Sequence, residues 1–164
     1  MSPFMFVLMQ FTVLAYALVG GAFLTFSDFV MRSLARTRGV GGVEAMQVIN
    51  REVFRWVFMT LFLGMTGVSM LILGYAWTSV EGPAGTLMLW AALVYLVGCF
   101  AVTVAFNVPM NEALAGMDPK ADGTLAYWQA TYVPRWTFFN TLRTLACVVS
   151  AALMLRALAW VSLS

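Results

Sequence analysis

The residues able to do chemistry in this sequence are few and grouped. Asn107-Val108-Pro109-Met110-Asn111-Glu112 sets two carboxamides at i, i+4 around a proline, and Trp136, Asn140 and Arg143 follow at i, i+4 and i, i+3 spacing, along one helical stripe. Glu44, Gln47 and Arg51 recur at helical spacing with Asn50 and Glu52 beside them, and Asp28 stands one turn before Arg32, where the two can pair. Pro109 lacks an N–H and frees a backbone carbonyl. Together these residues form a polar crown on apolar segments, with carboxylates at Asp28 and Glu112, guanidinium groups at Arg32 and Arg143, and several carboxamides. Such a crown is either a network of ion pairs and hydrogen bonds that fixes helix register, or the rim of an apolar cavity that orients a small aromatic ligand. Arg143 lies deepest in an apolar run, so it must snorkel, pair with an acid such as Glu112 or Asp28, or face a wet cavity.

Much other chemistry is excluded. The sequence has no His, which removes the usual haem and zinc ligands and any Ser-His-Asp triad. Its two Cys, Cys99 and Cys147, are isolated in apolar runs without C-x-x-C spacing and read as small packing residues, so no metal site is expected. A net charge of +2 from scattered basic residues does not suit nucleic acid.

The elements that must position the crown follow from composition. Of 164 residues, 62% are hydrophobic and 10% charged, with a mean hydropathy of +0.89, where a soluble domain carries about 25% charge. An all-α transmembrane four-helix bundle is expected, a single domain over 1–164 with spans at about 4–26, 54–77, 86–106 and 137–160. Arg32, Arg36, Arg38 and Arg51 fall between the first two spans, Lys120 and Arg135 between the last two, and Glu81 alone in the short middle turn. By the positive-inside rule both termini lie on the non-cytoplasmic side of the cell membrane, with polar loops 27–53 and 107–136 cytoplasmic. Met1-Ser2-Pro3 carries no basic residue and no cleavage site follows, so the first span is expected to be retained. Trp56 and Trp136 are expected at one membrane interface and Trp77, Trp90 and Trp160 at the other, while Gly20-Gly21, Gly64-x-x-Gly67 and Gly74 would let helices approach closely. Arg55-Trp56-Val57-Phe58 and Arg135-Trp136-Thr137-Phe138 hint at a duplicated hairpin, without identity beyond what composition gives.

Four runs, 27–35, 46–51, 107–114 and 136–146, resemble the anthrone oxygenase-like family of small four-span membrane proteins, in order and over nearly the whole chain. N-x-P-x-N followed by W-x-x-x-N-x-x-R carries the likeness. The resemblance implies an oxygenase that converts an anthrone-like aromatic polyketide to its quinone with molecular oxygen; an anthrone enolate is electron-rich enough to react with oxygen directly, so no cofactor is expected. The matching positions are Gln47, Asn50, Asn107, Asn111, Asn140 and Arg143; family members commonly carry a His where this sequence has Thr141. On this reading Arg143 and Asn140 stabilise an oxyanion, and Asn107 and Asn111 orient the substrate with Gln47, Asn50, Arg32 and Trp136 around it. Glu112 or Asp28 serves as base, its pKa raised by partial burial. The partners expected are the lipid bilayer, a hydrophobic aromatic small molecule, molecular oxygen and a second copy of the chain.

The alternative is a non-catalytic scaffold or partner subunit whose crown only holds the bundle together. A proton-coupled exporter or a channel fits less well, because the middles of the first three spans carry no Asp, Glu, Lys or Arg.

Overall fold

Apolar runs in lipid must pair their backbone groups within the segment, which only helices and closed barrels do. The computed structural model describes residues 2–163, and these are helical nearly throughout, with no strand among them. Helix α1 spans Pro3–Ala35, α2 Gly41–Glu52, α3 Trp56–Ser79, α4 Gly82–Ala115 and α5 Asp122–Leu163. Helices α1, α3, α4 and α5 are each long and apolar enough to cross a membrane, as a small multi-span membrane protein requires; α2 is short and amphipathic. Ser2 caps α1 by accepting the Met5 N–H at 3.3 Å, with Pro3 in the first turn. Gly82, at φ 77°, makes the left-handed turn between α3 and α4 that other residues rarely adopt.

Helix α5 is the spine, packing along α1 and α4, while α3 leans on α1 and on the first part of α4. Tyr16 of α1 stacks on Tyr95 of α4 with ring centroids 4.6 Å apart. Their hydroxyls are satisfied inside the bundle, Tyr16 with Ser69 Oγ at 2.7 Å and Tyr95 by donating to the Phe62 carbonyl at 3.1 Å. Of the glycines expected to bring helices together, only Gly20 does so. A Cβ there would lie 2.9 Å from that of Cys147 on α5, whereas Gly21, Gly64, Gly67 and Gly74 have nothing within 4 Å. The other tight crossing is at Gly98, where a Cβ would lie 2.7 Å from that of Ala146.

The helices outrun the apolar spans, and the expected polar loops are largely helical. Residues 27–53 hold the end of α1 and all of α2, and residues 107–136 hold the end of α4 and the start of α5. Widened π-helical turns make this continuity possible. They occur at Phe26–Val30 in α1, Tyr95–Ala101 and Thr103–Asn107 in α4, and Trp128–Tyr132 in α5. Two of them end two residues before a proline, Pro109 and Pro134. A proline has no N–H and collides with the carbonyl four residues back; the altered register ahead of it lets each helix run on.

The helical extensions pack on α2 around a second apolar core of Met31, Val43, Met46, Leu114, Trp128, Tyr132 and Trp136. The expected pairing of Asp28 with Arg32 is not formed. Asp28 lies at the π turn and both side chains are exposed, where an ion pair gains little against water. Among the described residues the one ion pair joins Glu52 and Arg55 at 2.7 Å on the surface.

Candidate active site

A cavity of about 320 Å³ lies beneath α2, walled by α1, α3, α4 and α5. Its sides are aromatic, with Phe23, Phe26, Phe58, Phe62, Phe100 and Trp136, and its polar groups are Asn50, Thr103, Asn107, Asn111 and Arg143. Thr103, Asn107 and Asn111 stand at successive i, i+4 positions along α4, and Asn107 is where the π turn ends.

Arg143 enters from α5 and is only 4% exposed. Its Nη2 donates to Asn140 Oδ1 at 2.6 Å and its Nη1 to Thr103 Oγ1 at 3.2 Å, while its Nε has no partner. The guanidinium carbon sits 4.1 Å from the Phe23 ring centroid and 5.4 Å from that of Trp136, so the cation rests against two aromatic faces. Asn140 holds it there without lining the cavity: its Nδ2 donates to the Phe23 carbonyl at 2.6 Å and to Ser27 Oγ at 2.7 Å, fastening α5 to α1.

The carboxamides on α4 are each tied to α5 through one end. Asn111 Oδ1 accepts from Tyr132 Oη and from Trp136 Nε1, both at 2.8 Å, which leaves its Nδ2 for the cavity. Tyr132 also accepts from Asn50 Nδ2 at 3.3 Å. Asn107 donates its Nδ2 to the Trp136 carbonyl at 3.3 Å, and its Oδ1 is buried without a partner. Arg143, Asn111 and Asn107 thus line the cavity among flat apolar walls, with the unpartnered Asn107 Oδ1 itself closed off.

Several expected site residues lie elsewhere. Glu112 and Asp28 are both exposed and line no part of the cavity, so neither is a partly buried base and neither pairs with Arg143. Glu112 follows Asn111 and so points about 100° away around the helix. Arg32 is exposed outside the cavity. Gln47 is structural: its Nε2 donates to the carbonyls of Leu114 at 2.8 Å and Met117 at 2.9 Å, tying α2 to the end of α4. Trp136, expected at the headgroup level, is 5% exposed and turned into the site. Thr141 is exposed and bonds the Thr137 carbonyl and Ser27 Oγ, away from the cavity.

The structure adds residues that sequence reasoning did not select. Thr103 precedes Asn107 by one turn, and Tyr132 precedes Trp136 by one turn, so extending each helical stripe backwards would have found both. Cys99 and Cys147 come together, fully buried, with sulfurs 3.5 Å apart, one turn from Thr103 and Arg143 respectively. Their pairing across two helices has no signature in local spacing. Among the described residues no three Cys, Asp or Glu side chains converge as a metal ion would need.

The family model described as anthrone oxygenase matches residues 51–153, which take in α3, α4, most of α5 and the last two residues of α2, but not α1. No curated protein and no solved structure matches the chain. The matched segment supplies Thr103, Asn107, Asn111, Trp136, Asn140 and Arg143, and it covers well over half of the sequence. The chain belongs to the anthrone oxygenase family.

Proposed function

We propose that this protein is a membrane oxygenase that holds a flat, hydrophobic aromatic ketone with an acidic C–H, of the anthrone class, and exposes it to molecular oxygen. The observation that carries the reading is Arg143: a buried guanidinium with an unpartnered Nε, no carboxylate beside it, and an aromatic cavity in front. A buried cation without a counter-charge is costly, and an anionic occupant of the cavity supplies that charge.

The chemistry balances without a further redox partner. The substrate CH₂ loses a proton to give an enolate, whose ketone oxygen takes the negative charge against Arg143 and the Asn111 Nδ2. The enolate carbon forms a C–O bond to dioxygen and, on protonation, becomes a hydroperoxide. Loss of the remaining C–H proton with departure of hydroxide breaks the O–O bond, leaving a second carbonyl and one water. Because the carboxylates lie outside the cavity, the first proton passes to water at the Asn50 end rather than to a side-chain base. The enolate is stabilised electrostatically, not by strong general-base catalysis. In this proposal the termini face away from the cytoplasm and α2, with the cavity's polar end, faces it, as the basic residues between the spans suggest.

The test is oxygen uptake and quinone absorbance when the purified protein in detergent meets a simple anthrone. One oxygen should be consumed per quinone formed, above the rate given by boiled protein. Arg143→Gln should lose that turnover while retaining a cooperative thermal melt. Equal rates for wild type, Arg143→Gln and boiled protein would leave the family's fold without this activity, as a scaffold reading requires.

A further inference from the structure

The cavity is closed on one side and open on another. Toward the polar end it is roofed by α2, whose Val43 and Met46 are buried in the second core and whose Gln47 is fixed by two hydrogen bonds to the end of α4. On its flank the wall is incomplete. Leu63 of α3 and Val104 of α4 both line the cavity, yet they are 51% and 52% exposed, and Phe54 at the same rim is exposed too. Helix α3 packs on α1 and on the Gly82–Ala101 part of α4, and makes little contact with α4 beyond it. Every residue at this gap is apolar. Leu63 lies seven residues past Trp56, an exposed tryptophan at the start of α3 and of the expected span, so the gap is about 10 Å further along the helix at 1.5 Å per residue. A slit at that depth with a wholly apolar rim faces acyl chains, not water.

We infer that the cavity loads sideways from the bilayer, through the gap between α3 and α4 at Leu63 and Val104, and that its substrate is an uncharged aromatic dissolved in the lipid. The identity of the occupant rests on the proposed function; the route does not. A sugar conjugate or a carrier-bound thioester could not pass an apolar slit without stripping its polar groups of water. The roof formed by α2 keeps such solutes from entering on the polar side.

The route is tested without turnover. Met46→Cys puts a thiol on the cavity wall at a position buried from lipid and water, and the native Cys99 and Cys147 serve as a blank in wild type. In phosphatidylcholine vesicles carrying reagent on both sides, a lipid-soluble N-arylmaleimide should label this thiol at least tenfold faster than its sulfonated analogue. Both rates are normalised to an exposed Glu112→Cys control. Adding Leu63→Trp and Val104→Trp should slow the lipid-soluble reagent at least fivefold, whereas Gln47→Ala should not be needed for labelling. Ala22→Cys, also on the wall, is the second reporter if Met46→Cys does not fold. Equal labelling by the charged reagent, or labelling indifferent to the two tryptophans, overturns the lateral route. Loss of oxygen uptake with the labelling pattern intact would instead count against the reaction and leave the route standing.

Discussion

Arg143 and Asn140 lie one turn apart on α5, with the guanidinium donating to the amide oxygen at 2.6 Å and the amide nitrogen reaching across to the Phe23 carbonyl at 2.6 Å. Asn140 thus spends its acceptor on the cation and its donors on α1, and it makes no wall of the cavity. It is therefore placed to hold Arg143 rather than to meet an occupant of the cavity. This arrangement distinguishes two substitutions that charge alone would rank differently. Asn140→Asp gives Arg143 a full counter-charge but sets a carboxylate oxygen against the Phe23 carbonyl, with no hydrogen to share. Asn140→Leu removes both functions. Both should lower the melting temperature in detergent, by a cost of about 2–3 kcal/mol, as for a buried hydrogen bond to a charged group. An Asn140→Asp protein that melts above wild type would mean that the ion pair outweighs the lost contacts to α1.

The carboxylates give the second prediction. Glu112 and Asp28 are exposed and away from the cavity, so Glu112→Gln and Asp28→Asn should each leave oxygen uptake within about twofold of wild type between roughly pH 5 and 9. A fall of tenfold or more in either variant, with the fold retained, would make that residue the base after all and require the segment carrying it to move.

What the sequence made legible was the part written in helical spacing. The i, i+4 relation of Asn107 to Asn111 and the stripe of Trp136, Asn140 and Arg143 depend only on continuous helix, and both are found. What it hid was the part decided by interruptions and by distant neighbours. A π turn adds a residue to the turn and rotates everything beyond it by about 100° relative to an unbroken α-helix, and the turns at Phe26–Val30 and Thr103–Asn107 leave no mark in the spacing. Trp56 and Trp136 occupy matching tetrads, yet one is 86% exposed and the other 5%, because the helical extension ahead of Trp136 folds over it and no such extension precedes Trp56. Cys99 and Cys147 meet because α4 crosses α5 at Gly98 and Ala146, a pairing between helices that no short window records.

That crossing yields a third prediction. A methyl group at position 98 would collide with the Cβ of Ala146, which the helix backbone holds in place, while one at position 21 would meet nothing within 4 Å. Gly98→Ala should therefore destabilise the bundle by about 1–3 kcal/mol, the usual range for overpacking. Gly21→Ala should be neutral or slightly stabilising, by up to about 1 kcal/mol, from helix propensity. Thermal melts of the two variants side by side check this. A Gly98→Ala protein as stable as wild type would show that α4 and α5 can separate at little cost.

The last prediction concerns Thr141, where the resemblance in sequence leads one to expect a His. Two residues along a helix is about 200° of rotation, so while Arg143 points into the cavity, Thr141 points out, bonded to its own helix at Thr137 and to Ser27 of α1. An imidazole placed there would lie on the outer side of α5, separated from the cavity by the Asn140–Arg143 pair. Thr141→His should therefore change oxygen uptake by no more than about twofold and introduce no new pH dependence near pH 6–7, where an imidazole titrates. A rise of tenfold or more, about 1.4 kcal/mol of barrier, would say that the reaction occurs on the Ser27–Thr141 side of α5, with Asn140 facing substrate and Arg143 serving only to hold it.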